Sequence, residues 1–139
     1  MRLSATITKT INYCKKNGLL AQHNDFGVDG ETMARRYLEQ HDYEILETNW
    51  RSGHLEADII AFKDHRIVFV EVKTRTKDEF GDPESFVDRK KQKAYIRLAN
   101  AYILQHDRTE EARFDIISVI ANKEGVTIKH LPDAYSTIG

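Results

Sequence analysis

The sequence predicts an α/β domain, a mixed five-stranded sheet flanked by helices. Three observations carry this. Strand-like apolar bursts occur at 43–50, 56–62, 67–73, 114–121 and 126–131; helical apolar stripes occupy 30–40 and the region ending by Gln105; polar or Gly/Pro-containing turns separate them. With 139 residues and 40% apolar content, the chain is sized for one core.

Residues 1–27 precede the patterned region and are expected to be a poorly ordered arm, with 28–139 forming the single domain. Ile7, Ile11 and Cys14 suggest a weak amphipathic turn, but Asn12, Asn17 and Gly18 oppose a long helix. The arm is disordered, docked loosely on the body, or the product of an upstream start codon. Removing residues 1–24 is expected to leave the body folded.

From Gly30 to about Gln40 a helix is expected, with Ala34, Tyr37 and Leu38 on its apolar stripe. Glu31 points with that stripe, an unusual place for a carboxylate. Favourable interaction of a first-turn acid with the helix dipole is the alternative explanation. Tyr43 to Trp50 reads as the first strand. The next two, 56–62 and 67–73, flank the polar turn Lys63-Asp64-His65-Arg66.

If Phe62 faces Ile67, the register puts Ile60 opposite Phe69, Asp58 opposite Glu71 and Glu56 opposite Lys73. Opposed residues of an antiparallel pair lie roughly 4.5–5.5 Å apart at Cα, so two like charges there need a cation between them. Alternation places Glu71 and Lys73 on one face. The result is a carboxylate pair with a lysine beside it, a pattern suited to a divalent metal. A solvated surface ion pair is the competing reading, and a plain Glu56–Lys73 pair stands beside a tuning role for Glu56. The strand Ile67–Val72 is apolar on both faces, as in a central buried strand, which weighs against simple solvation.

Phe80-Gly81-Asp82-Pro83 makes a turn. A helix follows, starting near Pro83 or a turn later with Asp88 as N-cap, and packing through Ala94/Tyr95, Leu98, Ala99 and Tyr102. Phe114–Ala121 is then a buried strand reached by a helical crossover, hence parallel to the third strand. Asn122–Gly125 turns into a last strand, Val126–Leu131.

The blocks Gly30-Glu31-x-x-Ala34-x-x-Tyr37-Leu38, Tyr43-x-Ile45-Leu46-x-x-Asn49-Trp50-Arg51, Glu56-x-Asp58-Ile59-Ile60 and Val68-Phe69-Val70-Glu71-Val72-Lys73-x-Arg75 resemble the uncharacterised bacterial YraN family (UPF0102). The likeness continues through Phe80-Gly81-x-Pro83, Val87 and Lys91-Gln92, covering about residues 27–121. That family is related to Holliday-junction resolvases within the restriction-endonuclease-like superfamily, whose signature is Asp…(Asp/Glu)-x-Lys. Leu55 departs from the pattern, standing where the family usually has Gly.

The resemblance implies a restriction-endonuclease-like fold and a catalytic set of Glu31, Asp58, Glu71 and Lys73. Asp58, Glu71 and the carbonyl of Val72 would hold Mg²⁺ or Mn²⁺, which suits oxygen donors, and Glu31 would add a ligand through water or accept a proton. Lys73 is expected to act electrostatically, since a neighbouring dicarboxylate opposes the lowered pKa of a general base. Lys91 and Gln92 match the family's helix motif and are expected to contact nucleic acid. Arg35, Arg36, Arg51, Arg75 and Arg89 are further phosphate candidates. Trp50 is either a base-stacking platform or core.

Composition limits the alternatives. The lone Cys14 excludes an intramolecular disulfide or a multi-cysteine zinc site and fits a cytoplasmic setting. The six histidines show no metal-binding spacing, and no apolar run reaches membrane-span length. No secretory signal is expected. Net charge is −1, but residues 1–24 carry +4, leaving −5 on the remainder. Bases nevertheless concentrate at Arg75, Lys77, Arg89, Lys90, Lys91, Lys93 and Arg97.

The leading expectation is a metal-dependent endonuclease acting on DNA, branched or repair-associated. The alternatives are a non-catalytic nucleic-acid-binding or scaffold protein and an RNA endonuclease. The expected partner is nucleic acid, with no membrane; a homodimer is left open.

Overall fold

The fold is built outward from a hairpin turn. Asp64 and His65 both have left-handed φ, 51° and 62°, the conformation of a two-residue hairpin connection, and Lys63 pairs with Arg66 across it. In the computed structural model, residues 7–11, 29–76, 88–122 and 125–136 are described. Among them the order is β1 (Ile7–Ile11), α1 (Gly30–Gln40), β2 (Glu44–Ser52), β3 (Leu55–Lys63), β4 (Arg66–Thr76), α2 (Arg89–Gln105), β5 (Glu111–Asn122) and β6 (Gly125–Tyr135). The turn expected at Phe80–Pro83, and the earlier of the two helix starts, lie outside the described residues.

One mixed sheet runs in the order β1-β6-β5-β4-β3-β2. Only β4 and β5 pair in parallel, joined by the α2 crossover; the other neighbours are antiparallel. The five expected strands are all present, and the architecture is compatible with a restriction-endonuclease-like fold. A sixth strand corrects one expectation. Ile7–Ile11, inside the segment read as a poorly ordered arm, pairs with Val126–His130. Four of its five residues are Ile or Thr, whose branched side chains favour strands over the weak helical turn inferred from spacing.

The two faces of the sheet carry separate cores, as alternation along β4 requires. Val68 and Val70 pack with Met33, Ala34, Tyr37 and Leu38 of α1. Ile67 and Phe69 pack with Tyr95, Leu98, Ala99 and Tyr102 of α2. Both helices start on aspartate caps: Asp29 accepts from the Thr32 N–H (3.3 Å) and Asp88 from the Lys91 N–H (2.8 Å). Trp50 is partly buried and packs against the α2-side core. It meets Tyr102 edge-on at 5.1 Å within the α2 layer.

Under α1, a buried polar network ties three elements and the α1–β2 connection together. Arg113 holds Asp115 through two hydrogen bonds, 2.9 and 2.7 Å, and donates to the Tyr43 hydroxyl at 2.7 Å. Asp115 also meets His130 Nε2 at 2.7 Å and accepts from the Asp133 N–H at 3.0 Å. His130 Nδ1 meets the Tyr37 hydroxyl at 2.9 Å. Burial, with the Tyr43 and Asp115 charges, raises Tyr37 to about 12. Among the described residues, no helix is long and apolar enough to cross a membrane.

Candidate metal centre

The hairpin register follows the expected one from Lys63–Arg66 through Phe62–Ile67 and Ile60–Phe69 to Ile59–Val70, then stops one residue short of Asp58 and Glu71. The cause is a joint break in two strands. Asn49 adopts a left-handed φ of 51° in the middle of β2, between the pairs Thr48–Ile59 and Trp50–Ala57. Beyond it, Trp50 and Ala57 join the α2-side core, although Ile59 belongs to the α1 side. Asp58 sits at the break. Its Oδ2 accepts the Val72 N–H at 2.8 Å, taking the place of a strand partner. In an extended chain a residue's N–H and C=O point to one side, so the Val72 carbonyl also faces Asp58, where the ladder has ended.

Glu71 is 4% exposed. Both its oxygens face α2. The Tyr95 hydroxyl donates to Oε1 at 3.3 Å, and Lys91 Nζ lies 3.2 Å from Oε2. The lysine contact is an ion pair without hydrogen-bond angles, so Oε2 is a buried acceptor with no hydrogen-bond partner among the described residues. Asp58, Glu71, Lys91 and Tyr95 line one cavity of about 240 Å³, together with His54, Leu55 and Glu56. Burial raises Asp58 to about 8, helped by the neighbouring Glu71 carboxylate and by the charge of Glu31, against the Val72 N–H. Tyr95 is held well above its usual value, mainly by burial, and so stays a hydroxyl donor.

Glu31 approaches from α1. It is half-buried, and Asn49 Nδ2 donates to its Oε1 at 2.8 Å. A Cβ on Gly30 would overlap the Thr74 hydroxyl, so glycine lets this end of α1 close on β4. Lys73 follows Glu71 on the same face but lines a second, adjoining cavity of about 430 Å³. Glu56 does not face Lys73. With the β3–β4 ladder ended, it pairs with Arg51 of β2, by register and by a 3.2 Å ion pair.

Of the expected nucleic-acid contacts, Lys91 alone lines these cavities. Arg51 is engaged with Glu56, and Arg35 approaches Glu39 one turn along α1 at 3.8 Å. Arg75 donates weakly to the Thr74 carbonyl (3.4 Å), exposed Arg89 opens α2, and Gln92 is half-buried with its N–H on the Asp88 carbonyl. Arg36 is exposed on α1. Residues outside the expected site set also enter it: Tyr95 and His54 line the cavity, and exposed Asn49 holds Glu31, which lines neither cavity. Asn49 carried a signal, since asparagine tolerates left-handed backbone in mid-strand. Tyr95 was legible only as core.

Two carboxylates lining one cavity, one with a buried oxygen lacking a hydrogen bond, are donors of the kind a hard divalent cation takes. Among the described residues, no cluster of three or more His, Cys, Asp or Glu is assembled for a metal.

A model of the Uncharacterised protein family UPF0102 matches residues 30–119. The chain belongs to this family. It is similar to a UPF0102 protein of Christiangramia forsetii, 42% identical over 116 residues, covering 84% of this chain and 98% of the relative. A UPF0102 protein of Bacteroides thetaiotaomicron is 44% identical over 116 residues, with 84% and 96% covered. The UPF0102 match spans α1 to β5, and so takes in Glu31, Asn49, Asp58, Glu71, Lys73 and Lys91.

Proposed function

We propose that this UPF0102 protein is a divalent-metal-dependent phosphodiesterase cutting nucleic acid in the cytoplasm, DNA first, in the manner of the restriction-endonuclease-like enzymes related to junction resolvases. The observation that carries this is Glu71 Oε2, buried without a hydrogen bond beside Asp58 and opening towards a lysine-lined cavity.

Asp58, Glu71 and the Val72 carbonyl would hold Mg²⁺ or Mn²⁺. The bound ion supplies Lewis-acid polarisation of the phosphate and a more acidic attacking water. The remaining work falls to the chain. Asp58 is oriented by the Val72 N–H, and Glu71 by Tyr95. Glu31, oriented by Asn49, takes the proton of the attacking water, directly or through a second water. Lys73 offsets charge developing on the phosphate from the adjoining cavity.

One observation favours a second reading, a nucleic-acid-binding scaffold without turnover: Lys91 already neutralises Glu71. Cleavage of single-stranded, duplex, flap and four-way DNA, and of RNA, with Mg²⁺ or Mn²⁺ separates the two. The wild type should cut at least one substrate, and Glu71→Gln should lose about a hundredfold or more, as when a charge-stabilising group is removed from an active site. Metal binding without cleavage leaves the scaffold; cleavage undiminished in Glu71→Gln rejects the site.

A further inference from the structure

We propose that the larger cavity, between the β2–β3 turn and the start of α2, is a phosphate subsite for a nucleic-acid strand, and that Lys91 serves it and the carboxylate site in exchange. The exchange rests on the reading of Asp58 and Glu71 as a cation site; the subsite does not.

The cavity of about 430 Å³ is lined by Lys73 from β4 and by Lys90, Lys91 and Arg97 from α2, with His54 at the turn. Ala94, between Lys90 and Arg97 on the same helix face, leaves space between the two long side chains. Among the described residues, Lys73, Lys90 and Arg97 form no ion pair. The one acid on the lining, Asp88, caps α2 through the Lys91 N–H. With one carboxylate among them the cations remain in excess and repel one another, and an anion relieves this. His54, Leu55, Lys91 and Ala94 line both cavities, which therefore adjoin. A ligand with phosphates at regular spacing fills both, one at the carboxylates and the next among the lysines; a lone phosphate fills one.

Lys91 stands at the junction. Its side chain is 47% exposed, so its pairing with buried Glu71 is made from a solvated stem that swings readily. A divalent cation on Glu71 displaces the ammonium, which then joins the basic cavity. By linkage, a strand that draws Lys91 away leaves Glu71 more receptive to the cation.

The test is calorimetric titration of the full chain, treated with chelator, using a short oligothymidylate, inorganic phosphate and Mn²⁺. The oligonucleotide should bind about tenfold or more tightly than phosphate, with binding falling as salt rises. The double variant Lys90→Glu with Arg97→Glu, both exposed positions, should lose about tenfold or more in oligonucleotide affinity and about two in salt slope, with Mn²⁺ affinity kept. Lys91→Met should bind Mn²⁺ about fivefold or more tightly and show a smaller gain in Mn²⁺ affinity when the oligonucleotide is present. Unchanged oligonucleotide affinity in the folded double variant overturns the subsite, and phosphate binding as tight as the oligonucleotide overturns the strand. Unchanged Mn²⁺ affinity in Lys91→Met overturns the exchange. If the wild type binds no Mn²⁺ but binds the oligonucleotide through Lys90 and Arg97, the cation reading falls and the subsite stands.

Discussion

Asp58 shows how one residue couples the site to stability. In the folded chain its pKa is raised from 3.8 to about 8, first by burial and then by Glu71. Between those values the folded state holds a proton that the unfolded state has lost, so stability falls as pH rises. The decline ends above about pH 8, where both states are ionised. Chelator-treated wild type should therefore lose melting temperature from about pH 4 to pH 8 relative to Asp58→Asn, which cannot ionise there. Parallel pH slopes in the two proteins would show that Asp58 is not the group responsible. The approach of Asp58 to Glu71 was legible from the length of a two-residue turn and strict alternation. Their hold on α2 was not, because Tyr95 looks like any aromatic on a helix's core stripe, and hydroxyl direction is a tertiary property.

At the level of elements, the decisive irregularity is the break at Asn49 and Asp58. A regular pair of strands would continue the ladder past Ile59–Val70 and occupy the Val72 N–H with backbone; instead a carboxylate takes it. Two substitutions separate the backbone from the side chain. Asn49→Gly retains easy access to left-handed φ and removes the bond to Glu31, so its melting temperature should stay within a few degrees of wild type while Glu31 is released. Asn49→Val forces a β-branched residue into that conformation and should cost about 1–3 kcal/mol in a denaturant titration. Equal stability of the two variants would mean that the strand break tolerates other conformations. The pattern placed α1 and the end of α2 nearly to the residue, while the start of α2 was left between Pro83 and the Asp88 cap, because both residues suit a first helical turn. It placed Glu56 opposite Lys73 because period-two reasoning has no means of ending a ladder early.

Across the whole molecule, the Asp115 network joins parts that the sheet alone does not. Arg113, His130, Tyr37 and Tyr43 reach it from β5, β6, α1 and the approach to β2. Removing one partner from a buried, hydrogen-bonded charge pair leaves the other uncompensated, so Asp115→Ala should destabilise by about 3–5 kcal/mol in chemical denaturation. The effect should not depend on added metal, since the network lies under α1 and the carboxylate cavity under α2. A loss below about 1 kcal/mol would mean that water re-satisfies Arg113. None of this was visible in the chain beforehand: Asp115 and His130 are fifteen residues apart, and only the β5–β6 pairing brings them together.

The sixth strand has a consequence for solubility. Without Ile7–Ile11, the backbone groups of Val126–His130 that now pair with it would form an open rim. A strand rim with unused donors and acceptors is a template for another chain. A protein lacking residues 1–24 should keep its remaining five-stranded sheet, as the central pairings are untouched, yet self-associate through β6. Light scattering or sedimentation over a concentration series reads this directly. A truncated chain that stays monomeric at the highest concentrations would show that β6 needs no cover. On this view the amino-terminal segment acts as a guard against polymerisation, and its loss by proteolysis would make the protein sticky without touching the Asp58–Glu71 cavity.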